Sequence, residues 1–206
     1  MTDINTENDK DLQVLATAIL ARLGRRSIVL VGMMGVGKSS IGRRLGMRLG
    51  VPFVDADTEI ERAAGMSISE IFARHGEAYF RSGEARVIAR LLEGGPQVLA
   101  TGGGAVMNGD TRAAIKAKGV SIWLDAEPEV LMRRIAKRRH ERPMLQTPDP
   151  AATLQRLVAE RGPVYAQADL TVQSREVPHD AVVAEIMRSL AEFCDASVPS
   201  QAGAGA

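Results

Sequence analysis

The sequence predicts an α/β fold in which a parallel sheet is covered by helices on both faces. Three observations lead to this prediction. Short apolar runs rich in β-branched residues alternate with segments of helical periodicity, no repeat interrupts the pattern, and a glycine-rich loop joins the first run to its helix. Such alternation favours parallel strands connected by right-handed crossovers. The 206 residues are 45% hydrophobic and 25% charged, which suits one globular domain.

The N-terminal part begins with an extension. Residues 1–10 are polar and are predicted to be disordered, whereas DLQVLATAILARL (11–23) has apolar side chains at helical spacing and is followed by a glycine. SIVLVG (27–32) is apolar and β-branched, which predicts a buried strand. The segment 38–50 has helical periodicity, and VPFVD (51–55) predicts the second strand.

The middle part continues the alternation. Residues 57–65 and 67–76 predict two short helices, and residues 77–95 predict a longer one. QVLATGGG (97–104) predicts a third strand that runs into three glycines. A helix is predicted over 110–119.

The C-terminal part contains two more strands. VSIWLD (120–125) and DLTVQS (169–174) predict the fourth and fifth strands. Helices are predicted over 128–139, 150–168 and 179–193. The predicted organisation is an extension over 1–24, a single domain over 25–194 and a disordered tail over 195–206.

Composition excludes several classes of protein. The net charge is +1 and aromatic residues make up 3%, which argues against nucleic-acid binding. No run approaches the ~20 apolar residues of a membrane span, and the N-terminus does not resemble a signal peptide. Cys194 is the only cysteine, so no intrachain disulfide forms, as expected of a cytoplasmic protein. The three histidines lie far apart, which argues against a metal site built on them.

The segment GMMGVGKS (32–39) matches the phosphate-binding pattern G-x-x-x-x-G-K-[ST] between a predicted strand and a predicted helix. Glycines allow the tight turn that aims backbone N–H groups at phosphate oxygens. Lys38 can reach the β- and γ-phosphates, and the Ser39 hydroxyl can ligate Mg²⁺. The alternative is a glycine-rich turn without a nucleotide. The sequence has no N-K-x-D motif, so a GTPase is not expected, and a small phosphotransferase is favoured.

Two carboxylates follow the second strand. Asp55 and Asp57 lie at its carboxyl end, where open α/β sheets bind ligands, and strand alternation would point both side chains the same way. Asp55 is placed to hold Mg²⁺ through a water, and Asp57 to meet an acceptor hydroxyl. The alternative for Asp57 is a helix cap, a role that would not account for Asp55.

Three further segments are candidates for acceptor binding and closure. In FRSGE, Arg81 and Glu84 are three apart on one helix face and suit recognition of a carboxylate, or they form an ordinary exposed ion pair. The triple glycine 102–104 makes room for a ligand beside the backbone, or forms a loose turn. Arg161 could reach the cleft or favour its helix C-terminus. Arg142 lies in a basic segment that could close over a triphosphate, although most of these cations are expected to be solvated.

Together these motifs resemble those of the shikimate kinase family over residues 25–190. The order is G-x-x-G-x-G-K-S, D-x-D, F-R-x-x-E, G-G-G, R-P-x-L and E-R-x-P-x-Y. The resemblance implies a three-layer P-loop NTPase fold with a five-stranded parallel sheet of order 2-3-1-4-5 and a mobile lid at about 133–149. Family members often have Thr where this chain has Ser40, which keeps the hydroxyl.

The resemblance also implies roles for individual residues. Lys38, Asp57 and Arg142 match catalytic positions, and Asp57 would bind the shikimate hydroxyls and accept the proton. Ser39 and Asp55 match the Mg²⁺ site. The positions that match ATP contacts are Gly35, Val36, Gly37, Lys38, Ser39, Ser40, Arg134 and Arg142. The positions that match shikimate contacts are Asp57, Arg81, Gly102, Gly103, Gly104 and Arg161.

The implied reaction is transfer of phosphate from ATP to the 3-hydroxyl of shikimate, giving shikimate 3-phosphate, a step in chorismate and aromatic amino acid biosynthesis. ATP would be the co-substrate, with one Mg²⁺ ion per subunit, in a cytoplasmic monomer. Two alternatives remain: another small-molecule kinase, such as a gluconate kinase, and a nucleotide-binding module without catalysis. The N-terminal extension lies outside the match, and removal of residues 1–20 is expected to leave activity largely intact.

Overall fold

The computed structural model describes residues 4–136 and 149–196. The described residues contain one five-stranded sheet in the order β2-β3-β1-β4-β5, and every neighbouring pair is parallel. The strands are β1 (Ser27–Val31), β2 (Phe53–Asp55), β3 (Val98–Ala100), β4 (Gly119–Asp125) and β5 (Leu170–Gln173). The predicted fold class and strand order are therefore confirmed.

Helices cover both faces of this sheet and connect its strands. Their bounds are α1 (Ile4–Leu23), α2 (Lys38–Leu49), α3 (Ala56–Ala64), α4 (Ile68–Leu91), α5 (Gly109–Lys118), α6 (Pro128–Ala136), α7 (Pro150–Tyr165) and α8 (His179–Ala196). Two single turns of 3-10 helix, Leu92–Gly94 and Ala105–Met107, lie on either side of β3. None of the helices within residues 4–136 and 149–196 is long and apolar enough to cross a membrane.

The core explains the apolar character of the strands. All five residues of β1 are buried, because β1 is the central strand and is covered on both faces. Val29 pairs in register with Leu99 on one side and with Ser121 on the other. The carboxyl ends of the five strands therefore lie along one edge, where the predicted site residues follow them.

The N-terminal extension differs from the prediction. Helix α1 begins at Ile4 rather than near residue 11, so the predicted disorder is wrong for residues 4–10. Its C-terminal half buries Ala16, Ile19 and Leu23 in the main core, and the helix packs against α2 and α8. The extension is thus part of the packed body.

Several boundaries also differ. The two helices predicted on either side of residue 76 form one element, α4, in which Gly76 has a left-handed φ of 81° and a ψ of 173° that kink it. Strand β3 ends at Ala100, so the triple glycine follows the strand instead of belonging to it. Helix α8 continues through Ala196, beyond the predicted start of the tail. Residues 197–206, and the predicted lid except for its ends at 133–136 and 149, lie outside the described residues.

Candidate active site

The phosphate-binding loop lies between β1 and α2, as predicted. Gly32, Gly35 and Gly37 have φ values of 134°, 81° and 103°, which residues other than glycine rarely adopt. Helix α2 begins directly after Gly37 and points its N-terminus at the loop. The Lys38 ammonium donates hydrogen bonds to the carbonyls of Gly32 at 2.7 Å and Met33 at 3.0 Å, so its side chain lies along the inside of the loop.

Ser39 and Asp55 meet at the floor of this cleft. The Ser39 hydroxyl donates to Oδ2 of Asp55 at 2.7 Å. Oδ1 of Asp55 accepts a hydrogen bond from the Asp57 backbone N–H at 3.2 Å and caps α3. The cap of α3 is therefore Asp55 and not Asp57, so the interpretation of Asp57 as a cap is wrong. The expectation that capping would not explain Asp55 is wrong too.

The predicted acceptor residues converge on one cavity of about 620 Å³ beside the phosphate loop. Asp57 lies on its wall from α3, Arg81 and Glu84 from α4, and Arg161 from α7. All three glycines of the 102–104 turn line the same cavity. Asp55 and Glu61 line it too, so elements that are far apart in the sequence bring two cations and four carboxylates around a space of small-molecule size.

Arg81 is fixed by two carboxylates on its own helix. Its Nη1 donates to Oε2 of Glu84 at 2.8 Å, and its Nη2 donates to Oε1 of Glu77 at 3.1 Å. Glu84 is buried, so the interpretation of an ordinary exposed ion pair is wrong for this contact. Burial, together with the nearby Asp57 carboxylate, raises the pKa of Glu84 above its usual value even though the Arg81 guanidinium lowers it. Burial alone would lower the pKa of Arg81, but Glu84 and Glu77 together raise it.

The three consecutive glycines make room for these side chains. A Cβ at Gly102 would lie 2.8 Å from Oε1 of Glu84 and 2.9 Å from Oδ1 of Asp57. A Cβ at Gly104 would lie 2.7 Å from both terminal nitrogens of Arg81. These distances are shorter than real Cβ contacts, so a side chain at either position would displace the charged groups. The turn is therefore closely packed and not loose.

Helix α7 brings Arg161 and Tyr165 to the same turn. Arg161 is buried and lines the same cavity as Asp57 and Arg81, and α7 continues past it through Gly162 and Pro163 to Tyr165. The helix predicted over 150–168 therefore ends at Tyr165, and Arg161 lies inside it. The Tyr165 hydroxyl donates a hydrogen bond to the Gly103 carbonyl. Burial raises the pKa of Tyr165 to about 12, so the phenol keeps this proton at neutral pH.

A second cavity of about 450 Å³ lies over the phosphate loop and shares the wall formed by Met34, Asp55, Asp57, Gly102 and Gly103. The predicted ATP contacts that line it are Gly35, Gly37, Lys38, Ser39, Ser40 and Arg134. The Val36 side chain is buried in the core, so Val36 can face this region only through its backbone. Arg142 lies outside the described residues.

Arg134 also binds protein groups. Its guanidinium donates to the carbonyl of Val36 at 3.1 Å, to the Ser174 hydroxyl at 2.9 Å and to the Arg175 carbonyl at 2.9 Å. Arg134 therefore joins α6 to the phosphate loop and to the segment after β5.

Three residues of this region were not singled out from the sequence. His179 lines the second cavity from the start of α8, and burial together with Arg44 and Arg134 lowers its pKa. Ser174 contacts the phosphate loop, and Tyr165 contacts the glycine turn. Ser174 directly follows β5, so the rule that sites lie at carboxyl ends of strands could have identified it. Tyr165 is the last residue of the E-R-x-P-x-Y motif, which could have identified it, whereas no local signal identifies His179.

The sequence and the fold of this chain are similar to those of known proteins. The family model described as "Shikimate kinase" matches residues 34–191. The shikimate kinase of Bradyrhizobium diazoefficiens is 67% identical over 177 residues, which cover 85% of each chain. The solved structure of a shikimate kinase from Acinetobacter baumannii in complex with shikimate has a TM-score of 0.78 and 35% identity, and covers 82% of this chain and 94% of the other.

The fold also resembles that of a gluconokinase from Sinorhizobium meliloti. Its TM-score is 0.54 and its identity is 21%, over 84% of this chain and 95% of the other. This likeness extends to the fold alone.

Proposed function

Because this chain belongs to the shikimate kinase family, its reaction is the ATP-dependent phosphorylation of shikimate, and we propose that the two adjoining cavities hold the two substrates of that reaction. ATP occupies the cavity over the phosphate loop, which we call the nucleotide cavity. Shikimate occupies the cavity lined by Asp57, Arg81 and Arg161. The observation that carries this proposal is the position of Asp57 on the wall that both cavities share.

The phosphate loop supplies charge and N–H donors to the triphosphate. Lys38 neutralises the β- and γ-phosphates once its ammonium exchanges the loop carbonyls for phosphate oxygens. Gly35, Gly37, Ser39 and Ser40 present backbone and hydroxyl groups to the same oxygens, next to the N-terminus of α2. Arg134 and Arg142 complete the ATP contacts in this proposal.

The pair Ser39 and Asp55 fits one Mg²⁺ ion. A hydroxyl oxygen and a carboxylate oxygen that lie 2.7 Å apart are hard donors of the kind that Mg²⁺ prefers. Ser39 would ligate the ion directly and Asp55 would hold one of its waters, while phosphate oxygens fill other positions. The bound ion supplies charge neutralisation to the transferring phosphate.

Arg81, Arg161 and the glycine turn would hold the acceptor. Two guanidinium groups on one cavity wall suit the carboxylate of shikimate, and Glu84 keeps Arg81 in place for it. Gly102 and Gly104 have no side chains, so Asp57, Glu84 and Arg81 can pack against the turn that lines this cavity. Asp57 then lies between the shikimate ring and the phosphate loop.

The chemical step follows from these positions. The 3-hydroxyl oxygen of shikimate forms a bond to the γ-phosphorus, and the bond from that phosphorus to the β,γ-bridging oxygen breaks, so ADP leaves. The hydroxyl proton passes to the Asp57 carboxylate. Lys38 and Arg142 stabilise the negative charge that develops on the oxygens. Positioning of two bound reactants can lower such a barrier by roughly 7–11 kcal/mol.

A coupled ADP-release assay tests this function directly. The purified chain with Mg²⁺ and ATP is expected to turn over shikimate and to leave gluconate at background. Turnover of gluconate without turnover of shikimate would contradict the proposal, and nucleotide binding without either turnover would favour a non-catalytic module. The monomeric state, the cytoplasmic location and the absence of nucleic-acid and membrane partners stay predictions from the sequence.

A further inference from the structure

The Val36 carbonyl in the phosphate loop is bound by two side chains, Arg134 near the end of α6 and Ser174 directly after β5. The carbonyl oxygen of Val36 accepts one hydrogen bond from the Ser174 hydroxyl at 2.8 Å and one from Nη1 of Arg134 at 3.1 Å. Both of its lone pairs are therefore used. We propose that Ser174 is a positioning residue for nucleotide binding, which acts through this carbonyl.

The orientation of the Val36 carbonyl determines the orientation of the next backbone N–H, because the peptide group is planar. The carbonyl of Val36 and the N–H of Gly37 belong to one planar trans peptide, so they point in opposite directions. Fixing the carbonyl toward Ser174 consequently fixes the Gly37 N–H in the opposite direction. Gly37 lines the nucleotide cavity and has a left-handed φ of 103°, so no side chain of its own restrains this peptide.

The direction of the Ser174 proton is set by Arg134. Nη1 of Arg134 donates to the Ser174 oxygen at 2.9 Å, and a guanidinium has donors only. The Ser174 hydroxyl must accept this bond, so its single proton is available for the Val36 carbonyl. Since Ser174 is 3% exposed, water does not compete well for either group.

Ser174 is itself held by the sheet. Its backbone N–H donates to the carbonyl of Asp125 at 2.6 Å, at the end of β4. Nη2 of Arg134 donates to the Arg175 carbonyl at 2.9 Å, next to it. Hydrogen bonds of Ser174 thereby connect the phosphate loop to the carboxyl ends of β4 and β5.

The test measures binding of MgADP by calorimetry without shikimate. Ser174→Ala is expected to weaken MgADP about three- to tenfold, the range for one buried hydrogen bond, and to leave the Kd for shikimate within about twofold. This role rests on the nucleotide site of the proposed function. Because the probe is MgADP alone, a failure of shikimate turnover does not affect the outcome.

Ser27 provides a matched control at the opposite end of the sheet. Its buried hydroxyl donates to the Gly95 carbonyl at 2.9 Å and lies 3.4 Å from the Gln97 amide that donates to it, which repeats the chemistry of Ser174 away from the cleft. Ser27→Ala is expected to lower the melting temperature and to leave the Kd for MgADP within about twofold.

Two results would overturn the proposal. One is a Kd for MgADP within about twofold of wild type in folded Ser174→Ala, and the other is an equal loss of affinity in Ser27→Ala. Should Ser174→Ala fail to fold, Ser174→Cys preserves the volume and donates only weakly, and the same loss of MgADP affinity is expected.

Discussion

The Arg81 guanidinium lies 2.8 Å from the carboxylate of Glu84, one helical turn further along α4, and Glu84 has only 2% of its side chain exposed. Burying the Glu84 carboxylate costs desolvation free energy. In return, Glu84 holds the partly exposed Arg81 guanidinium at the edge of the acceptor cavity. The same guanidinium contacts Glu77, whose side chain is 60% exposed. The two carboxylates therefore allow a direct comparison of a buried and an exposed partner.

Glu84→Gln is expected to raise the KM for shikimate about tenfold and to leave the KM for ATP unchanged, because Arg81 loses its buried charged partner. Steady-state kinetics with each substrate varied measure this. Glu77→Gln serves as the control and is expected to change the KM for shikimate less than about twofold. Equal effects of the two substitutions would contradict the assignment.

Asp57→Asn is expected to lower kcat by about 10²–10⁴, because the amide cannot accept the proton of the attacking hydroxyl. The Kd for MgADP is expected to stay near the wild-type value. Asp110→Asn is a suitable control, since Asp110 also lies in the first turn of a helix but is exposed outside both cavities. Near wild-type turnover in Asp57→Asn would remove its proposed role.

Asp55 combines two roles that different substitutions separate. Asp55→Asn keeps a good helix cap and is expected to raise the Mg²⁺ concentration needed for half-maximal activity, with little loss of stability. Asp55→Ala is expected to lose stability as well, by about 1 kcal/mol, since Asp57 N–H loses its acceptor. Mg²⁺ titrations and urea unfolding measure the two effects, and an unchanged Mg²⁺ requirement in both variants would argue against the metal role.

The raised pKa of Tyr165 leads us to expect a change in stability at alkaline pH. Its pKa is about 12 in the folded protein and near 10 in an unfolded chain, so the folded protein binds more protons between these values. The free energy of unfolding is therefore expected to fall, by up to about 3 kcal/mol, as the pH rises from about 10 to about 12. Urea unfolding of wild type and Tyr165→Phe measures it. The variant lacks the phenol, so an identical pH dependence in both would show that Tyr165 is not responsible.

Ile19→Ala is expected to lower the free energy of unfolding by about 2–4 kcal/mol, because Ile19 is 0% exposed between α1 and the body. Val14→Ala on the same helix is the control, since Val14 is 72% exposed and its loss is expected to change stability by less than about 0.5 kcal/mol. KM values for both substrates should match wild type. The expectation that removing residues 1–20 preserves activity consequently applies only where the shortened chain stays folded.

The sequence predicted correctly those elements that a short stretch of residues specifies by itself. The loop around Lys38 is specified by glycines at fixed spacing, and α/β alternation followed from the apolar runs. The strand order came from the family resemblance, since alternation alone leaves the order open. The capping role of Asp55 was missed because strand alternation assumes a continuing strand, whereas α3 begins at Ala56 and Asp55 caps it.

Contacts between distant segments explain most of what the sequence did not predict. Ser174 and Val36, or Tyr165 and Gly103, meet only because β5 and α7 return to the edge reached by β1 and β3. The start of α1 was missed for a different reason. Residues 4–10 are polar and lack apolar spacing, so periodicity gave no indication that the helix extends through them.

The wall shared by the two cavities also bears on inhibitor design. Both spaces are bordered by Met34, Asp55, Asp57, Gly102 and Gly103. With the substrates placed as proposed above, a single tethered compound could join an adenosine phosphate to a carboxylated ring across a short bridge. The bridge would pass beside two carboxylates, Asp55 and Asp57, which favour a cationic or hydrogen-bond-donating linker over a neutral alkyl chain. Such a compound would bind both halves at high effective concentration and gain selectivity over kinases that have only the nucleotide half.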